Sequence, residues 1–121
     1  MFPPLFKAAA ASAYVRSLLG EDPVRVWPFG DAEEKPALPY AVWQVISGSP
    51  ENFLSGRPDV DAFRTQIDVY GTSAASARGA AFALREAFEG VAYLVAYNGE
   101  SRDADTKNYR ISFDIEWIVL R

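Results

Sequence analysis

Two carboxylates near the C-terminus have the spacing of a catalytic or metal-binding pair. Asp114 and Glu116 alternate with apolar residues in the run YRISFDIEW, so both would project from one face of a strand. Carboxylates placed in this way can share a proton or bind a metal ion. Charged residues that alternate with an apolar row are also typical of a solvated or interfacial sheet face. We favour the second interpretation, because the alternation alone accounts for both residues.

Two loops carry weaker signs of a ligand site. Asp103 and Asp105 in the run RDADTKN resemble part of a calcium loop, but the glycine and terminal glutamate of the EF-hand pattern are missing. The run GTSAASARG, which begins at Gly71, has the position of a phosphate-binding loop but neither a Walker lysine nor the glycine spacing of a dinucleotide site. A turn and a helix cap explain these residues, and we predict no catalytic residue, no cofactor and no metal site.

Composition removes several classes of function. The chain of 121 residues contains no histidine and no cysteine, which excludes Ser-His and Cys-His nucleophiles, the usual zinc sites and disulfides. Its net charge of −4 gives no general basic footprint for nucleic acid phosphates. The run MFPPLFKAAAASAYVRSLLG lacks the features of a secretory signal, and no window has the apolar length of a membrane span. We expect a single domain over residues 1–121 that does not enter a membrane.

Hydrophobic periodicity divides the chain into two helices and four or five strands. The predicted helices run from Pro3 and Pro4 to Leu19 and from residue 74 to residue 89, the second capped by Thr72 or Ser73. The predicted strands are residues 24–27, 40–47, 61–70, 91–99 and 107–120. The predicted fold class is α+β, an antiparallel β-sheet of four to five strands with two helices packed on one face. The order of the strands stays open.

The strand over residues 61–70 has one apolar face and one polar face. The side chains that alternate toward a core are Phe63, Thr65, Ile67 and Val69. The side chains on the opposite face are Arg64, Gln66, Asp68 and Tyr70. Together with the carboxylates of the last strand, they can form cross-strand pairs in water or contact another copy of the chain. The sequence allows both.

Five segments, taken in order, resemble one known family. They are an N-terminal helix, PYAVWQ at residues 39–44, DAFRTQIDVY at residues 61–70, a small-residue helix at residues 72–90 and YRISFD at residues 109–114. The run from Leu38 to Arg78 and the later run GESRDADTKNYRISFDIEW are similar to the tail terminator, or tail completion, proteins of long-tailed bacteriophages and prophages. The match spans the chain, and these elements show no departure from the family's pattern.

The resemblance implies a structural virion protein that is assembled in the host cytoplasm. Such a protein forms a ring, usually a hexamer, at the head-proximal end of the tail tube, where it stops tube polymerisation and provides the head-tail joining surface. Its partners would be copies of itself, the tail tube protein and the head-tail connector protein. DNA would pass through the lumen without specific binding, and no catalysis is implied.

Two sets of residues become candidate contact sites in such a ring. For contact with the neighbouring subunit we predict Arg64, Gln66, Asp68, Tyr70, Asp114 and Glu116. The connection over residues 48–59 is long and carries an apolar pair, which suits a loop that orders on binding. For contact with the tube or the connector we predict Phe53, Leu54 and Arg57.

Two alternatives stay open from the sequence. One is a head-completion or stopper protein on the connector side of the same joint. The other is a small ligand-binding or hydrolytic α+β domain that uses carboxylates, which would require a concave pocket with convergent acids.

Overall fold

The structure is a computed structural model that describes residues 3–21, 23–51 and 60–120. It contains three helices and five strands in the order α1 (Leu5–Ala11), α2 (Ala13–Leu19), β1 (Val26–Pro28), β2 (Tyr40–Glu51), β3 (Val60–Gly71), α3 (Ala74–Glu89), β4 (Ala92–Arg102) and β5 (Tyr109–Leu120). The strands form one sheet in the order β1-β2-β3-β5-β4. The predicted α+β class and five-strand sheet are confirmed.

The sequence predicted an antiparallel sheet, but the sheet is mixed. The pairs β2–β3, β3–β5 and β4–β5 are antiparallel, but β1 pairs in parallel with β2, with Val26 opposite Ala41. Parallel neighbours need a long crossover rather than a tight turn, and the irregular segment at residues 29–39 provides it. The predicted strand at residues 24–27 corresponds to β1, which lies at one edge of the sheet.

The N-terminal helical segment is two helices, where the sequence predicted one. Ser12 has extended backbone angles (φ −87°, ψ 120°) and ends α1 with a hydrogen bond from its N–H to the carbonyl of Ala9. Its hydroxyl then accepts a hydrogen bond from the N–H of Val15 at 3.1 Å, which caps α2. Helical spacing continues across Ser12, so hydrophobic periodicity alone does not reveal the break.

The core lies between the helices and one face of the sheet. The buried apolar residues on that sheet face are Val26, Ala41, Ile67, Val69, Ala92, Ile111, Phe113, Ile115 and Trp117. The buried residues of α3 are Ala77, Ala80, Ala81, Ala83, Leu84 and Phe88. The four alanines let the axis of α3 lie close to the sheet, while Phe88 packs on Trp117 with ring centroids 5.5 Å apart. The predicted inner rows of β3 and β5 therefore face this core.

The connection between β2 and β3 is shorter than predicted. Backbone pairing between the two strands continues to Glu51 opposite Val60, so residues 48–51 belong to β2 and not to a loop. This continuation follows a register shift between Val45 and Ser47, where Ile46 is the additional residue. In the described part of the chain, no helix has the length and apolar character needed to span a bilayer.

Candidate assembly surface

The face of the sheet opposite the helices, here called the outer face, carries all six predicted interface residues. In the register of β3 and β5, Arg64 is opposite Glu116, Gln66 opposite Asp114 and Tyr70 opposite Arg110. Because β3 and β5 are adjacent and side chains alternate between faces, all six predicted residues project from the same face. The structure thus brings them together in two parallel rows.

An ion pair between Arg64 and Asp114 occupies the centre of the outer face. The Arg64 Nε and Nη2 atoms each lie 2.9 Å from Oδ2 of Asp114. Oδ1 of the same carboxylate accepts a hydrogen bond from Nδ2 of Asn98 at 2.8 Å. The Asp114 side chain is only 6% exposed, whereas that of Arg64 is 42% exposed. Both oxygens of Asp114 therefore already have donors within the subunit, which does not suit a catalytic or metal-binding carboxylate.

A second group of polar contacts lies beside the first. Asp68 accepts a hydrogen bond from Nη2 of Arg110 at 2.8 Å and from the amide of Gln66 at 3.2 Å. At the same end of the sheet, the Tyr70 ring stacks on Tyr40 with centroids 4.9 Å apart. Burial raises the pKa of both phenols above the ordinary value, and the negative charge of Asp68 adds to the effect on Tyr70. Both tyrosines are therefore neutral at physiological pH.

Glu116 is the predicted interface residue that stays outside these contacts. It lies in register between Arg64 of β3 and Tyr93 of β4, yet it has no ion pair or side-chain hydrogen bond among the residues the structure describes. Beside it on the same face are two exposed apolar side chains: Tyr93 is 67% and Ile118 is 48% exposed. We call Tyr93, Glu116 and Ile118 the outer-face patch. It combines apolar area with an unpaired charge.

Two contributors to the outer face were missed as site residues from the sequence. Arg110 lies opposite Tyr70 on the outer face and binds Asp68, but it was not predicted as an interface residue. Asn98 was assigned only to a strand end, yet it reaches both Ser112 at 3.2 Å and Asp114 at 2.8 Å. It does so because the register of β4 shifts between Tyr97 and Gly99, which makes Asn98 an additional residue on the bulged strand. A bulge of this kind leaves no clear signal in the alternation.

The alternative ligand sites from the sequence analysis have structural roles. The carboxylate of Asp103 accepts hydrogen bonds from the N–H groups of Asp105 at 2.8 Å and Thr106 at 3.0 Å, which closes the β4–β5 turn and lowers the pKa of Asp103. The hydroxyl of Ser73 accepts from the N–H of Ser76 at 3.1 Å and caps α3, as predicted. Over residues 3–21, 23–51 and 60–120, no group of three or more acidic side chains is arranged to hold a metal ion.

The second predicted contact site cannot be placed on this surface. Phe53, Leu54 and Arg57 lie outside the described residues. Glu51 and Val60 are paired at the end of the β2–β3 hairpin, beside Leu120 of β5.

The comparisons with known proteins identify the class as a structural protein of the virion tail. The family described as "Tail completion protein gp17" matches residues 3–120, so the chain belongs to that family. The predicted family resemblance and the location in the tail are thereby confirmed.

A solved structure supports the same fold. A chain from the "Virion of native gene transfer agent (GTA) particle" superposes with a TM-score of 0.74 at 15% sequence identity, covering 97% of this chain and 92% of that one. Among curated proteins no relative matches. At this level of identity the structural match shows a shared fold.

Proposed function

We propose that this protein forms a homo-oligomeric ring, a hexamer, at the head-proximal end of the tail tube. There it terminates tube polymerisation and provides the surface to which the head connector attaches. The observation that carries the proposal is membership of the tail completion family over residues 3–120. The outer face of the sheet supports it, since that face combines exposed apolar side chains with a carboxylate that has no partner among the described residues.

The outer-face patch, which includes Glu116 of the predicted interface, is the part of the outer face best suited to meet another subunit. Arg64, Asp68 and Asp114 are held by contacts inside their own subunit, so they fix the shape of the surface. Glu116 and the apolar side chains around it remain available for a neighbour. In a ring each contact is heterologous, so this patch meets a different surface on the next copy and its charge helps to fix the register.

Termination follows from an asymmetry between the two sides of such a ring. One side must match the exposed end of the tube, and the other must present chemistry that further tube subunits do not fit. Phe53, Leu54 and Arg57 are our candidates for contact with the tube or the connector. The role is non-enzymatic, and the net charge of −4 disfavours tight binding of the DNA that passes through the lumen.

Electron microscopy of particles made without this protein tests the function directly. Overlong tails, or tails without heads, are expected because nothing stops tube growth or joins the tail to the head. Virions of normal length and yield would contradict the proposal. Co-purification of the protein with the portal but not with the tube protein would instead favour a stopper on the connector side.

A matched pair of charge reversals tests the outer-face patch. Glu116→Lys is expected to weaken ring assembly, measured by sedimentation velocity and negative-stain imaging. Glu86→Lys makes the same charge change on an exposed residue of α3 and is expected to leave assembly unchanged. Equal behaviour of the two variants would remove the outer-face patch from the interface.

A further inference from the structure

One edge of the sheet presents an exposed phenylalanine followed by a run of acids. Phe29, which directly follows β1, is 69% exposed and is held by a hydrogen bond from its N–H to the carbonyl of Trp43 at 2.8 Å. A turn closed by the N–H of Asp31 on the carbonyl of Pro28 then leads into exposed Glu33 and Glu34. Among the described residues, none of these three carboxylates has an ion pair. We call residues 29–34 the edge segment.

The other edge of the sheet contains an apolar cleft between α3 and β4. The cleft has a volume of about 340 Å³. Its apolar lining is formed by Ala81, Phe82, Tyr97, Ile111 and Phe113. Phe82 and Tyr97 are 50% and 60% exposed, so the aromatic walls of the cleft lack a complete cover. A cleft of this size accepts an aromatic side chain, which buries its apolar surface there.

The rim of the cleft supplies positive charge. Arg78 binds both carboxylate oxygens of Glu100 at 2.7 and 3.0 Å, and Arg85 binds Glu89 at 2.7 Å. Each guanidinium has five N–H donors, so each retains donors for a further carboxylate. Arg102 lies in the adjoining part of the same groove, over the ring of Tyr109, and has no carboxylate partner among the described residues. Arg78 and Arg85 are thus each neutralised by a glutamate of the same subunit, whereas no described residue neutralises the positive charge of Arg102.

The acids of the edge segment lie close to its phenylalanine in sequence. Glu33 follows Phe29 by four residues, and the turn at residues 28–31 keeps the two closer than an extended chain would. On the opposite edge, Arg78 and Arg85 line the cleft itself. One phenylalanine can therefore occupy the cleft while the carboxylates that follow it reach the cations of the rim.

The two features cannot meet within one subunit. Strands β1 and β4 are the two edges of a five-stranded sheet, and four inter-strand spacings place them about 19 Å apart. A contact between opposite edges of successive copies is heterologous and repeats from subunit to subunit, as a closed ring requires. Register shifts at two places in β4 disfavour regular strand addition at that edge, so docking through side chains suits it better.

We propose that the edge segment of one copy docks in the α3–β4 cleft of the next copy, with Phe29 in the cleft and its acids on the arginines of the rim. The occupant is a second copy of this chain. The inference rests on the proposed ring and names a contact within it that uses residues different from those of the outer-face patch.

Photo-crosslinking from position 29 tests this contact in assembled rings. A benzophenone amino acid replaces Phe29, and mass spectrometry locates the crosslinks formed between copies. Crosslinks to Phe82, Tyr97 and their neighbours in another copy are expected. The same probe at Tyr93, an exposed aromatic residue on the outer face of the sheet, serves as the control and is expected to give no crosslink to the cleft. Rings in which position 29 crosslinks elsewhere, or not at all, would overturn the docking while leaving the ring intact.

Charge exchange gives a second, independent readout. Phe29→Ala is expected to raise the protein concentration at half-assembly by about tenfold, and Arg102→Glu by about fivefold. Combining Arg102→Glu with Glu33→Arg and Glu34→Arg is expected to restore most of the loss. Unchanged assembly in both Phe29→Ala and Arg102→Glu would overturn the docking. Absence of any ring for the wild type, in solution and on tails, would overturn both proposals.

Discussion

Asp114 is a nearly buried carboxylate on the open face of a sheet, and Arg64 of the adjacent strand is its counter-charge at 2.9 Å. A carboxylate with so little exposure is strongly destabilising unless it is paired and hydrogen-bonded. Here Arg64 and Asn98 satisfy its two oxygens. The charged residues that predicted an interface therefore also stabilise the fold of their own subunit. Variants that affect only stability, or only subunit contact, are needed to separate these two roles.

Truncation of this carboxylate should destabilise the subunit. Asp114→Ala removes the acceptor of Arg64 and Asn98, so we expect the free energy of unfolding to fall by about 1–3 kcal/mol. Glu116→Ala, on the same strand and face, should change it by less than about 0.5 kcal/mol, because that carboxylate has no partner among the described residues. Urea denaturation of the two variants checks the difference. Similar losses in both would mean that the pairing does not stabilise the fold.

A buried hydrogen bond in the core provides a second prediction. The Trp117 Nε1–H donates to the hydroxyl of Thr65 at 3.0 Å, and both residues are essentially inaccessible to solvent. Thr65→Val keeps the shape but leaves the indole N–H without its acceptor, so we expect a loss of about 1–3 kcal/mol in the free energy of unfolding.

A double-mutant cycle isolates that hydrogen bond. Trp117→Phe alone creates a cavity and removes the donor, and in its presence Thr65→Val should cost markedly less than in the wild type. Chemical denaturation of all four proteins measures the coupling. Additive losses would show that Thr65 contributes through its packing and its hydrogen bond to the Ile115 carbonyl, and not through the indole.

Local chemistry explains which elements could be predicted. The helix α3 has a serine cap and a regular small-residue stripe, and the alternation of β5 is unbroken, so both agree with the sequence prediction. The break at Ser12 and the parallel pairing of β1 depend on tertiary packing of short segments, which local periodicity does not encode. The residues of the outer face were predicted, but the burial of Asp114 was not. That burial depends on the bulge in β4, which places Asn98 against the Asp114 carboxylate.

Gly71 is a position where a side chain has no room. A Cβ added there would lie 2.6 Å from the backbone N and 3.0 Å from the Cα of Ala77, in the first turn of α3. Gly71→Ala must therefore displace backbone, and we expect a loss of about 1–3 kcal/mol in the free energy of unfolding, measured by denaturation. Gly79→Ala is the matched control, because nothing lies within 4 Å of its added Cβ and the site is inside α3. That variant should be stabilised by about 0.4–1 kcal/mol.

The stacked pair of Tyr40 and Tyr70 makes stability sensitive to alkaline pH. Burial, followed by the charge of Asp68, raises the pKa of Tyr70 above its ordinary value of 10.0, and burial together with Tyr70 raises that of Tyr40. Because the folded pKa values exceed the unfolded ones, the stabilisation is fully present below pH 10 and is lost as pH rises through the raised values. Ultraviolet titration should show that Tyr70→Phe removes a phenol that ionises above pH 10. Urea denaturation above pH 10 should show that this variant loses less stability there than the wild type. A phenol at position 70 that titrates at or below pH 10 would show that the stacked pair is open to water.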